Sequence, residues 1–122
     1  MSDSPIRIFH NPACSTSRNV VEMVREAGHE PEVVEYLKTG WDRAELKRLL
    51  DSAGLTPRQA LREKGSLAAE LGLLEDGVSE DRILDAMVEH PVLVERPLVA
   101  TPKGVRLARP KETVWDVVER RG

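Results

Sequence analysis

Cysteine occurs once in this 122-residue chain, at Cys14. No internal disulfide can form, and a lone thiol fits a reducing compartment. Aromatic residues are scarce, with two Trp, one Tyr and one Phe, so the core must be built from Val, Leu, Ile and Ala. No apolar run approaches the roughly 18 residues of a membrane span. Residues 1–5 lack the basic start and apolar stretch of an export signal, and a cytoplasmic location is expected. The formal net charge of −3 provides no general attraction for nucleic acid or an anionic membrane. An anionic substrate would have to be held by a local group of arginines. Metal binding is not expected either: His10, Cys14, His29 and His90 are not paired at the short spacings that structural zinc requires.

The pattern along the chain indicates an α/β protein. Ile6–Phe9 reads as a first strand, and His10-Asn11-Pro12-Ala13 as a loop, because Asn-Pro is a turn signal. Ser15 or Thr16 is placed to cap a helix running to about Ala27, with Val20, Val21, Val24 and Ala27 on its apolar face and Gly28 at its end. Glu32–Tyr36 is the second strand. Strand, helix and strand within about 35 residues form a βαβ unit with parallel pairing. A block of helices follows. Asp42 and Glu45 form a capping box, Thr56-Pro57 opens another helix, short helices are expected over Gln59–Lys64 and Leu67–Leu71, and Ser79 caps one that ends near His90. Leu98–Ala100 and Val105–Leu107, joined by Pro102-Lys103-Gly104, read as a hairpin, and Lys111–Arg121 as a closing helix. The order is β-α-β, then helices, then β-β-α. It is that of a single thioredoxin-like (glutaredoxin-type) domain, residues 1–122. A mixed sheet has helices on both faces, and a helical insertion occupies about residues 55–90.

Cys14 stands where the loop becomes the first helix. A helix start offers unpaired N–H groups and the positive end of a dipole. Both favour the thiolate, which is the attacking species. Arg18 lies one turn on and His10 four residues back. Two readings stand here: a reactive thiol, or a buried and inert one. Spacing separates the reactive chemistries. A dithiol redox enzyme needs Cys-x-x-Cys, but Ser17 occupies the fourth position. A Cys-x5-Arg oxyanion loop is missing, because Val20 stands where its Arg would be. What remains is a monothiol, whose second thiol must come from another molecule, and glutathione is the abundant cytosolic source. Arg62, Arg96 and Arg109 each lie at the edge of an element. A guanidinium fork suits a tetrahedral oxyanion, although each Arg alone also reads as a solvated surface charge.

The run His10-Asn11-Pro12-Ala13-Cys14-Ser15-Thr16-Ser17-Arg18-Asn19 resembles the signature of glutaredoxin-coupled arsenate reductases. The likeness continues through residues 54–62, Glu95-Arg96-Pro97-Leu98-Val99-Ala100-Thr101-Pro102 and residues 104–110, covering about residues 6–118. The resemblance implies that Cys14 attacks arsenate while Arg62, Arg96 and Arg109 hold its oxygens. Glutathione is then the co-substrate, with no bound cofactor, and glutaredoxin completes the reduction to arsenite. It implies that His10 tunes the Cys14 pKa as a cation or a hydrogen-bond partner, with Asn11, Ser17, Arg18 and Pro97 in support. Arg96-Pro97 resembles the cis-proline step of thioredoxin folds. Two other functions are compatible with the same residues. One is a glutathione-dependent thiol-disulfide reductase that uses Cys14 on a different substrate. The other is a transcriptional regulator of the Spx kind, which binds RNA polymerase; Ser17 removes the Cys-x-x-Cys switch typical of those proteins.

Overall fold

A computed structural model describes residues 5–120. The chain forms two compact units. One is built from Met1–Thr39 and Arg96–Gly122, the other from Gly40–Glu95, and the expected insertion falls inside the second.

The first unit contains a four-stranded sheet with the strands ordered β2-β1-β3-β4. Strand β1 (Arg7–His10) pairs in parallel with β2 (Glu32–Glu35) and antiparallel with β3 (Leu98–Thr101), which pairs antiparallel with β4 (Gly104–Leu107). Helix α1 (Ser15–Glu26) makes the crossover between β1 and β2. It ends in a Schellman arrangement. Gly28 takes φ 94, its N–H reaches the Arg25 carbonyl, and the His29 N–H reaches that of Val24; glycine adopts this backbone at no steric cost. Alternation along β1 and β3 places Ile8 and Val99, which are register partners, on one face. There they pack with Val20, Val21 and Val24 of α1 and with Val114, Val117 and Val118. Phe9 and Leu98, partners on the opposite face, are also buried.

Three segments differ from the expected elements. Tyr36 does not extend β2 but opens a short helix α2 (Tyr36–Thr39) and is itself buried. Lys111–Asp116 is a 3-10 helix rather than the start of an α-helix, and the expected end at Arg121 lies outside the described residues. β-branched side chains crowd this segment and weaken its α-helical preference. A 3-10 turn leaves Val114, Val117 and Val118 buried all the same.

The third difference is in the second unit. It holds α3 (Arg43–Ser52), α4 (Pro57–Ala60), α5 (Leu67–Glu70) and α6 (Glu80–Glu89). Asp42 caps α3 through the Glu45 N–H at 3.0 Å, Thr56 and Gln59 close a capping box on α4, and Ser79 caps α6 through the Arg82 N–H at 3.1 Å. The helix expected over Gln59–Lys64 is replaced by an extended pairing. Leu61 bridges Val94, Arg62 donates its N–H to the Leu93 carbonyl at 2.7 Å, and Glu95 donates to that of Ala60 at 2.9 Å. Backbone partners supplied by a distant segment override local propensity here. Among the described residues no helix is long and apolar enough to cross a membrane.

The sheet's register gathers the candidate functional segments. Phe9 faces Leu98, and Leu98 faces Leu107. The end of β1, the start of β3 and the end of β4 therefore lie side by side, with His10, Arg96-Pro97 and Arg109 just at or beyond them. Ile8 is fully buried at the centre of this arrangement. Ile8→Ala is expected to cost about 2–5 kcal/mol, read as a lower urea midpoint with an unchanged slope. A loss below about 0.5 kcal/mol would contradict the packing described.

Candidate active site

The loop after β1 is a hydrogen-bonded turn. Asn11 is buried, its Oδ1 accepts from the Ala13 N–H at 2.9 Å, and its carbonyl accepts from the Cys14 N–H at 3.0 Å. An Asn side chain that bonds its own backbone two residues on is a turn former. The turn delivers Cys14 to the N-cap of α1 in an extended conformation, and the Cys14 carbonyl accepts the first helical bond from the Arg18 N–H at 3.0 Å. The cap was expected at Ser15 or Thr16. Both residues are already on the helical side of the boundary, Ser15 as its first residue. The N-cap position is normally filled by an oxygen that accepts from the N–H groups of the first turn. Here it carries sulfur. The Cys14 side chain closes no regular cap bond, and sulfur is a stronger acceptor as the thiolate than as the thiol.

His10, Asn11 and Ser17 form a buried network behind the turn. The Ser17 hydroxyl oxygen accepts from the Asn11 N–H at 3.1 Å and lies 2.6 Å from His10 Nδ1. A neutral His10 that accepts at Nδ1 satisfies the serine proton, the histidine ring and the backbone donor together. Burial lowers the His10 pKa, opposed by the Glu35 carboxylate and reinforced by the charges of Arg18 and Arg25. His10 Nδ1 thus takes part in the hydrogen-bonded network behind the turn. Arg18 Nη1 donates to the Pro12 carbonyl at 2.7 Å and holds the loop.

Two of the three candidate oxyanion arginines stand with Cys14 in the first unit. Arg109, just past β4, is exposed; its Nη1 lies 3.7 Å from Cys14 Sγ and donates to the Arg96 carbonyl at 3.1 Å. Arg96 is buried, precedes β3, and acts on the thiol through its charge. The Arg96-Pro97 and Arg109-Pro110 peptides are both cis, and the Pro97 carbonyl accepts from the Ala108 N–H at 2.9 Å. Arg62 belongs to the second unit, where its Nη1 meets Glu95 Oε1 at 2.9 Å. Glu95 escaped the sequence reading; its place next to Arg96 was the available signal.

The Cys14 thiol is subject to opposing forces. Burial raises its pKa. The Ser17 N–H, the Arg109 side chain, the charge of Arg96 and the Thr16 N–H lower it, and together they hold it below the ordinary thiol value. Helix N–H groups and guanidinium charge both stabilise an anion at this point. A thiolate framed by fixed N–H donors and arginine charge can attack an electrophilic centre and hold the negative oxygens attached to it. Among the described residues no group of three His, Cys, Asp or Glu side chains gathers as a metal site.

Comparison with known proteins places the chain among relatives of one family. The ArsC family model matches residues 9–117. The chain is 55% identical to arsenate reductase ArsI1 of Synechocystis over 98% of its own length and 83% of that protein's. It is 47% identical to an arsenate reductase of Escherichia coli K12, over 94% of this chain and 82% of that one. An arsenate reductase structure from Vibrio cholerae superposes with a TM-score of 0.88 at 39% identity, covering 93% of this chain and 97% of that one. The fold is thioredoxin-like in type.

A lowered thiol pKa fixes the sign of a pH experiment. Only the thiolate is alkylated, so the rate of iodoacetamide alkylation plotted against pH is expected to rise with a midpoint below that of a free cysteine. Arg109→Ala removes a donor to the sulfur, and the midpoint should move up. A wild-type midpoint at or above the free-cysteine value would mean that burial prevails over the donors.

Proposed function

The chain belongs to the ArsC family, and on that premise we propose that it reduces arsenate to arsenite, with Cys14 as nucleophile and glutathione and glutaredoxin as reductants. The observation that carries this reading is the Arg109 guanidinium 3.7 Å from the Cys14 sulfur, reinforced by the charge of Arg96. The named relatives are arsenate reductases. The thiolate forms a sulfur–arsenic bond while an arsenic hydroxyl leaves as water. Arg96, Arg109 and Arg62 bind the remaining oxygens and offset the charge that concentrates on them. A second thiol is then required. Cys14 is the chain's one cysteine, so that thiol comes from outside. Glutathione replaces a second arsenic hydroxyl, which again departs as water. Glutaredoxin attacks the glutathione sulfur, a disulfide forms between the two, and the electron pair stays on arsenic, which falls from the pentavalent to the trivalent state. Water releases arsenite and restores Cys14. No bound cofactor enters this cycle, and the need for a reduced thiol at its start suits the cytoplasm.

Arsenite production with glutathione and glutaredoxin is the test. Cys14→Ser should fold normally and make no arsenite. Arg96→Ala should lower kcat/KM for arsenate by about 1.5–3 kcal/mol, the range for hydrogen bonds to charged groups. Arsenite formed by Cys14→Ser, or a wild type that turns over only disulfides, would overturn the reading. In this reading Arg62 leaves its ion pair with Glu95 when it binds the oxyanion. Glu95→Gln removes that competing charge, so KM for arsenate should fall by at least about two- to fivefold, the exposed-pair scale being a lower bound for this mostly buried pair. A raised KM would show that Glu95 instead holds Arg62 ready for substrate.

A further inference from the structure

A cavity of about 510 Å³ lies beside the nucleophile, lined by Thr16, Asn19, Arg109, Pro110, Lys111 and Glu112. Its volume is that of a small-molecule site. It meets the reacting centre through two of its own walls. Arg109 places Nη1 3.7 Å from Cys14 Sγ, and the Thr16 N–H acts on the same sulfur. The other polar groups in the lining are not committed to the fold. Among the described residues the Thr16 hydroxyl, the Asn19 amide, the Lys111 ammonium and the Glu112 carboxylate have no hydrogen-bond or ion-pair partner. Asn19, Lys111 and Glu112 are exposed. An ammonium and a carboxylate next to each other, with an amide and a hydroxyl alongside, complement a zwitterionic peptide. A simple oxyanion would leave the carboxylate facing like charge.

We propose that this cavity is the subsite for the peptide thiol, with Lys111 binding a carboxylate of glutathione, Glu112 binding its ammonium, and Asn19 and Thr16 bonding its amide groups. The assignment rests on the arsenate reductase reading above. Of the tripeptide's two carboxylates, one ammonium and two amides, the lining offers partners to one carboxylate, the ammonium and both amides. Its thiol is then delivered along the Arg109 wall to the Cys14–arsenate adduct. There a sulfur–arsenic bond forms, an arsenic–hydroxyl bond breaks, and the thiol proton leaves with the hydroxyl as water, with no change in oxidation state at that step. Arg109 serves both substrates, because it borders the cavity and the sulfur.

S-methylglutathione cannot react and probes the binding step alone. Titrated into the ¹⁵N-labelled full chain, it should shift the amide signals of Thr16, Asn19, Lys111 and Glu112. Lys111→Glu, at an exposed and unpartnered position, should weaken that binding by at least about fivefold, and Asn19→Asp should weaken it as well. In turnover, Lys111→Glu should raise KM for glutathione by a similar factor with little change in KM for arsenate. Shifts that map to another surface, or a Lys111→Glu protein that binds the analogue as the wild type does, would overturn the subsite. Failure of the underlying reading looks different: the shifts and their loss in Lys111→Glu would remain, which upholds the subsite, while the wild type would make no arsenite.

Discussion

The arrangement depends on one substitution of sulfur for oxygen at a helix start. The N-cap of α1 is occupied by Cys14, in a position where Ser, Thr, Asp or Asn would ordinarily satisfy the first-turn N–H groups. A neutral thiol is a poor acceptor, and the N–H groups of Ser17 and Thr16 lower the Cys14 pKa. The thiolate is therefore the form that best completes the helix. The lowering of the Cys14 pKa and the capping of α1 are one interaction described from two sides. The helix gains its acceptor when the sulfur loses its proton.

That interaction would be weaker without the turn that precedes it. Asn11 and Ser17 are nearly inaccessible, and their bonds tie the loop to the end of β1 through His10. Arg18 closes the turn from outside through the Pro12 carbonyl. The supporting residues thus hold backbone, while Arg96 and Arg109 act on the sulfur electrostatically. Burial works against the thiolate, so the donors must exceed that penalty. The exposure of Arg109 limits its effect, and the buried Arg96 is screened less.

Arg62 illustrates a different constraint. A half-buried guanidinium needs a counter-charge in the resting protein, and Glu95 meets it at 2.9 Å. An arginine held in this way is oriented, and any anion that bound it would have to displace that carboxylate. Lys111 and Asn19 have no partner among the described residues, so they need break no bond before meeting a ligand.

The amino-acid sequence by itself determined the elements and the chemistry that depend on neighbours in the chain. The βαβ start, the caps at Asp42, Thr56 and Ser79, the hairpin around Pro102 and the placing of Cys14 at a helix start all follow from local residue types and spacing, because turns and caps are decided within a few residues. Ser17 alone was enough to exclude a dithiol. The tertiary structure decided what local rules could not. Leu61 left its expected helix for a pairing with Val94, a segment more than thirty residues away, and Lys111–Asp116 settled into a 3-10 turn against the sheet. Arg96 and Arg109 reached Cys14 because sheet register sets three strand ends side by side. The lowered pKa of His10 and the pairing of Arg62 with Glu95 likewise depend on burial and on distance through space, and neither is written in the order of residues along the chain.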